Sequence, residues 1–185
     1  HRLIRRQRQM CIRDRFKYIL NCIMSDSKSI LFICLGNICR SPMAEAILAH
    51  TLKDTPHNVD SCGTASYHRG ESPDNRTVST LLKNGIKTEH KARQLKQSDF
   101  EKFDYLICMD NNNLRNIKDM ARRWGVSKDI VDRKVKMFGE WKPKDNNKFG
   151  EVVEDPYYGD ITDFKTCFDQ CSLFCKEFVS REGLL

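Results

Sequence analysis

The chain has 185 residues, 39% hydrophobic and 31% charged, with 5 Pro and 9 Gly; this suits one domain around one core and excludes a fibrous or disordered chain. No apolar run approaches the roughly 18 residues of a spanning helix, so stable membrane insertion is not expected. A formal charge of +7 raises nucleic acid and anionic surfaces as partners, but Arg2, Arg5, Arg6, Arg8, Arg13, Arg15 and Lys17 stand against Asp14 alone before Met24. The body that follows is close to neutral, and nucleic acid is not an expected partner.

Residues 1–23 start with His1 and read as a fragment, a processed product or an over-extended reading frame. They lack the apolar stretch of a secretory signal. Phe16 to Ile23 has the pattern of one or two amphipathic turns. Met24 before the polar Ser25-Asp26-Ser27 reads as a natural start, so a basic extension over 1–23, disordered or non-native, and a functional domain over 24–185 are expected.

Ile30-Leu31-Phe32-Ile33-Cys34 is a continuous apolar run, the pattern of a strand buried on both faces. Gly36 and Asn37 suit the positive φ of a tight loop, Ser41 a helix N-cap and Pro42 the first helical position. Met43, Ala46, Ile47 and Leu52 predict a helix ending near Lys53. Asn58 to Cys62 reads as a strand closed by Gly63, and Asp74 to Asn84 as a helix ended by Gly85. Tyr105 to Met109 is another buried strand, followed by a helix over Asn113–Arg123, a strand over Lys134–Phe138 and a polar loop over Lys142–Phe149. From Asp163 to Val179, Phe164, Cys167, Phe168, Cys171, Phe174, Cys175 and Phe178 recur at helical spacing. Strands alternating with helices predict an α/β domain with a parallel sheet covered on both faces.

The nine cysteines do not read as a disulfide scaffold. Their number is odd, several lie in apolar segments, and no secretion signal precedes them, which fits buried free thiols in a reducing cytoplasm. Cys171 and Cys175 share a helix face, yet no CxxC pair or matching His cluster supports zinc; no metal and no cofactor are expected.

Cys34-Leu35-Gly36-Asn37-Ile38-Cys39-Arg40-Ser41-Pro42 stands at the carboxyl end of the first strand, where parallel α/β sheets bind ligands. A loop of this length entering a helix turns successive backbone N–H groups toward one point, a nest for a tetrahedral anion. Arg40 adds a fork to two phosphate oxygens. Cations and a helix N-terminus favour the thiolate of a cysteine at the floor, and Ser41 has a hydroxyl to donate to it. No Gly-Lys-Ser/Thr follows, so this is not a Walker loop.

This loop resembles the active-site loop of the low-molecular-weight protein tyrosine phosphatases. The resemblance extends to Val59-Asp60-Ser61-Cys62-Gly63-Thr64, Ala92-Arg93-Gln94, Asp104 to Asp110 and Asp155-Pro156-Tyr157-Tyr158-Gly159, in the same order and spacing, and covers about Lys28 to Val179. It implies a three-layer flavodoxin-like fold with a central four-stranded parallel sheet, and metal-free hydrolysis of phosphotyrosine in proteins. By that resemblance Cys34 is the nucleophile that forms a cysteinyl-phosphate. Arg40 and the amides of Leu35, Gly36, Asn37, Ile38 and Cys39 hold the phosphate, and Ser41 assists departure of the sulfur. Asp155 is nominated as general acid and then base, although Asp-Pro by itself reads as a turn. An acid that must be protonated while the nucleophile is ionised implies highest activity at mildly acidic pH.

Tyr157 and Tyr67 are expected to flank the substrate ring, with Leu35 lining the slot and His68-Arg69 altering preference. Asn37 is expected in a left-handed conformation with His90 bonded to it. Cys39 is implied as a redox guard that pairs reversibly with Cys34. Thiol-dependent arsenate reduction on the same fold is the alternative; its cysteine relay after the third strand is missing here, since no cysteine stands between Cys108 and Cys167. A monomer or weak homo-oligomer acting on tyrosine-phosphorylated proteins in the cytoplasm is expected.

Overall fold

The computed structural model describes residues 27–185. The basic segment 1–23, its amphipathic stretch Phe16–Ile23 and the start at Met24 lie outside the described residues. Four parallel strands, β1 (Ser29–Cys34), β2 (Asn58–Gly63), β3 (Tyr105–Cys108) and β4 (Val135–Met137), form one sheet in the order β2-β1-β3-β4, the strand order of the flavodoxin-like class. β1 is central, which explains why its sequence is apolar without alternation. Ile30, Phe32 and Cys34 enter one core cluster, and Leu31 and Ile33 the other.

The first face is covered by α1 (Arg40–Thr51), α2 (Asn75–Lys83) and α6 (Ile161–Glu182). From α6, Phe164, Cys167, Cys171, Phe174, Cys175 and Phe178 point inward, as their spacing predicts. Phe138 packs edge-on between Phe32 (5.1 Å) and Phe174 (5.3 Å) and ties this helix to the sheet. The second face carries α3 (Asp99–Lys102), α4 (Asn111–Arg123) and α5 (Lys128–Lys134). No helix among the described residues is long and apolar enough to cross a membrane.

Several expectations are corrected. The first helix starts at Arg40, with Cys39 rather than Ser41 at the cap position and no side-chain cap bond. Pro42 is therefore the third helical residue, still within the turn whose N–H groups have no helical partner. The helix after β3 begins at Asn111, capped by Asp110, whose carboxylate accepts from Asn113 N. The last helix extends two residues before and three beyond its expected span. The fourth strand is shorter than the expected Lys134–Phe138, since Lys134 ends α5 and Phe138 opens the 3₁₀ turn Phe138–Trp141; these two elements and α3 were not expected. Gly36 is not at positive φ; Asn37, at φ 60°, carries the left-handed turn alone. Gly36 matters by size instead, since a Cβ there would stand 3.1 Å from the His68 ring. The close approach is tighter at Gly63, where a Cβ would lie 2.6 Å from Leu35 O. The bonds Thr64 N to Cys34 O and Ala65 N to Leu35 O, both 2.9 Å, then fix the start of the loop against β2.

Candidate active site

β1 ends at Cys34, where the sheet order reverses and β2 and β3 splay to either side, the position at which open parallel sheets bind ligands. Cys34 Sγ accepts from Ser41 Oγ (3.0 Å) and from Asn37 N (3.2 Å). Two donors aimed at one sulfur suit its acting as an acceptor, the role of a thiolate. This explains why Ser41 is not a cap: its hydroxyl is committed to the sulfur. The amides of Gly36, Ile38 and Cys39 have no acceptor among the described residues and belong to the loop expected to cradle an anion.

Asn37, fully buried, holds the loop through its side chain. Nδ2 donates to Ser41 Oγ (2.9 Å) and Ser61 Oγ (2.8 Å), while Oδ1 accepts from Arg93 N (2.8 Å) and faces His90 Nε2 at 2.9 Å. The expected His90–Asn37 contact is present. Behind it, Glu45 Oε2 receives Ser61 Oγ (2.6 Å) and pairs with His90 Nδ1 (2.9 Å). Sequence reasoning missed Ser61 and Glu45: Ser61 sits in a β-strand and Glu45 on a helix, positions where either type is ordinary. Glu45, Asp60 and His90 bring atoms of metal-ligand type within 4.8 Å of one another, but Ser61 and Arg93 already bond the two carboxylates.

The Arg40 guanidinium leaves the first turn of α1 and is almost completely buried. Nη1 donates to Asp110 Oδ2 and to Val153 O (3.1 Å), and Nη2 to Asp155 Oδ2 (2.7 Å); Nε is buried with no partner. Burial opposes its charge, but Cys34, Asp155 and Asp110 outweigh burial and hold the group above its ordinary pKa. Asp110 is the other residue that sequence reasoning passed over as a functional group. Its one carboxylate caps α4 through Asn113 N (2.6 Å) and orients Arg40; the capping role alone accounts for an Asp at a helix start, so the second role leaves no separate signal.

Asp155 lies on the loop between β4 and α6. Val153 N bonds Met109 O (2.9 Å), and Gln170 Nε2 donates to Gly150 O (3.1 Å) and Val152 O (2.9 Å), so the loop's first half is fixed to β3 and α6. Cys34, Leu35, Gly36, Ile38, Cys39, Arg40, Tyr67, His68, Asp155, Tyr157 and Tyr158 line one cavity of about 250 Å³. Of the residues expected at the site, Asn37, Ser41 and His90 support the loop from behind without lining the cavity, and Arg69, expected with His68 to alter preference, does not line it either. The rim is aromatic and open: Tyr67 is 77% exposed and Tyr157 38%. His68 leans toward Tyr157 at 6.5 Å between ring centroids and pairs with Glu71.

The cysteines of the described residues are all free and buried. Burial first, then the nearby Asp74, Asp155 and Cys34, push the Cys39 thiol far above its ordinary pKa. Burial pushes Cys108 up to about 12, helped by Asp110, and its sulfur bonds Lys136 O at 3.3 Å inside the sheet. Such a thiol has no part in a mobile redox relay, which disfavours arsenate reduction.

Residues 29–182 match the profile of the family described as low molecular weight phosphotyrosine protein phosphatase. The enzyme of that name from Saccharomyces cerevisiae is 43% identical over 159 residues, covering 83% of this chain and 94% of its own. Among solved structures, a protein tyrosine phosphatase from Entamoeba histolytica superposes with a TM-score of 0.75 at 30% identity, covering 86% of this chain and 100% of its own. The Drosophila arginine phosphatase gives 0.73 at 34%, covering 83% and 97%. Sequence match, sheet order and loop geometry agree: the chain belongs to the low molecular weight phosphotyrosine protein phosphatase family.

Proposed function

We propose that the protein hydrolyses phosphotyrosine in proteins, and small aryl phosphates, through a cysteinyl-phosphate on Cys34. The observation that carries this reading is the convergence of the doubly bonded Cys34 sulfur, the Arg40 guanidinium and the Asp155 carboxyl on one narrow cavity walled by tyrosines. Cys34 Sγ attacks phosphorus as the bond to the aryl oxygen breaks, and Asp155 gives that oxygen its proton. Arg40 and the loop amides hold the equatorial oxygens, and Ser41 stabilises the sulfur as it leaves. Water then loses a proton to Asp155 and attacks phosphorus, the S–P bond breaks, and phosphate departs.

Cys34 is 3% exposed, so the phosphate must be carried inward on a long arm, and Tyr67, Tyr157 and Leu35 offer flat apolar walls to a phenyl ring. A phosphoarginine side chain would bring a polar guanidino group to the same walls, where Asp155 is the only carboxylate among the described residues that line the cavity. A phosphotyrosyl peptide is therefore expected to be turned over at least about tenfold faster in kcat/KM than the matched phosphoarginyl or phosphoseryl peptide, since even small apolar contacts discriminate by 10–200-fold. Phosphate release from the three peptides checks it; no turnover of the phosphotyrosyl peptide overturns the reading. The catalytic unit is taken to span 24–185, acting in the cytoplasm as a monomer or weak homo-oligomer; deletion of 1–23 leaves its activity intact.

Cys39 serves as redox guard. Peroxide oxidises the Cys34 thiolate to the sulfenic acid, the Cys39 thiol displaces water from it, and a disulfide forms that thiols reduce. Peroxide-treated wild type is expected to regain most of its activity with dithiothreitol, whereas Cys39→Ser regains little; equal recovery removes the guard.

A further inference from the structure

Arg76, in the first turn of α2, makes more connections than a surface arginine of a short helix needs. Nε and Nη2 grip both oxygens of Asp74 (3.0 and 2.8 Å). Nη1 donates to Gly159 O (2.9 Å) and Nη2 to Tyr157 O (3.0 Å). The guanidinium stacks on Phe164 of α6 at 4.4 Å and lies 5.9 Å from the Tyr157 ring. Asp74 in turn bonds the phosphate loop through its own N–H, which donates to Ile38 O at 2.9 Å.

The segment that Arg76 holds is the one carrying Asp155. Beyond Val153, and before Asp160 caps α6, this loop is exposed apart from the buried Pro156, with Tyr158 96% accessible. Among the described residues its hydrogen bonds to other elements come from Arg40, to Asp155, and from Arg76, to Tyr157 and Gly159. The Arg40 contact uses the catalytic carboxylate itself and has to be given up when a phosphate takes the guanidinium. At that moment the remaining hydrogen bonds from another element, among the described residues, are those of Arg76, beside the packing of Pro156.

We infer that Arg76, held by Asp74, is a positioning residue that latches the Asp155 loop to the phosphate loop, so that the acid faces the leaving oxygen once substrate occupies Arg40. This rests on the phosphatase reading. It predicts an effect confined to proton delivery, because Arg76 does not line the cavity, and a misplaced acid loses the benefit of orientation without disturbing the anion cradle.

The test compares kcat/KM on phenyl phosphate, whose leaving group needs a proton, and on 2,4-dinitrophenyl phosphate, whose leaving group departs as the stable anion. Arg76→Met keeps the apolar stem on Phe164 and deletes the donors. It is expected to lower kcat/KM on phenyl phosphate by roughly 10–10²-fold and on the dinitrophenyl ester by less than about threefold, the scale of a misplaced group. Arg76→Lys, with one donor head, falls between. Inhibition by inorganic phosphate stays within about threefold of wild type, as expected for an intact cradle. In an Asp155→Ala background, Arg76→Met adds no further loss on phenyl phosphate, the non-additivity of two residues acting through one group. Equal losses on the two esters, weakened phosphate inhibition or additive losses overturn the latch. A wild-type protein inactive on both esters overturns the phosphatase reading, and the latch with it.

Discussion

Cys34→Ser is expected to abolish turnover of phosphotyrosyl peptides and aryl phosphates, a loss of roughly 10⁴–10⁶ in kcat, the range seen when a nucleophile is removed from an otherwise intact site. The size follows from the chemistry of the atom, not from damage around it. A hydroxyl is nearly isosteric with the thiol and accepts the same donors, Ser41 Oγ and Asn37 N, so the loop keeps its shape. What disappears is the sulfur nucleophile: a serine hydroxyl is a far weaker one unless a base takes its proton, and on the proposed mechanism Asp155 gives a proton to the leaving oxygen rather than taking one from the nucleophile. The variant therefore retains the cradle, and inorganic phosphate binds it, by calorimetry, within a few-fold of wild type. Turnover within tenfold of wild type would sink the assignment of Cys34.

The elements that sequence reasoning located share a simple cause. β1 and β3 are buried on both faces and α6 on one, so their apolar residues report the packing directly. Helix α5 gave no such signal: of Lys128–Lys134, only Val131 is buried, and what holds it is the Ser127 cap and its seat against β4 and α4. The misplaced cap at the start of α1 has a different origin. Local preference assigns a serine before Pro to the N-cap, but the Ser41 hydroxyl bonds Cys34 instead, so the site overrides the local rule. Asn37 was legible in part: its turn preference and its contact with His90 were expected, whereas its side-chain bonds to Ser41, Ser61 and Arg93 were not, since Ser61 and Arg93 stand on segments far from the loop in sequence.

Within the site, the phosphate loop was readable because nucleophile, amides and guanidinium stand within eight consecutive residues. Asp155 is 115 residues from Arg40, and Asp-Pro is by itself a turn signal; only resemblance singled it out. Asp110 and Arg76 were hidden for another reason. Each also satisfies an ordinary local need, a helix cap and an ion pair two residues apart, and each becomes informative only when the loop between β4 and α6 is seen folded against it.

Asp155→Ala is the second change expected to have a large effect, and its signature is selective. Loss of a positioned general acid costs about 10²–10⁴ in rate when the leaving oxygen requires a proton, so kcat/KM for phenyl phosphate and phosphotyrosyl peptides falls by that factor. For 2,4-dinitrophenyl phosphate the aryl anion departs unassisted, and kcat/KM changes little. The scaffold tolerates the substitution: Asp155 is partly exposed, and Arg40 remains held through Nη1 by Asp110 and Val153 O. The substitution also exposes a competition built into the free protein. Asp155 Oδ2 occupies Arg40 Nη2 at 2.7 Å, a donor the incoming phosphate needs for a bidentate grip. On the proposed mechanism the substrate displaces the carboxylate from the guanidinium, which leaves Asp155 to serve the leaving oxygen. With the competitor removed, inorganic phosphate is expected to bind Asp155→Ala at least as tightly as wild type, while the proton-requiring ester is hydrolysed far more slowly. A uniform loss on both esters together with weakened phosphate binding would place Asp155 in the cradle instead of at the leaving group. Steady-state rates on the two esters and phosphate calorimetry on the two proteins decide between these outcomes.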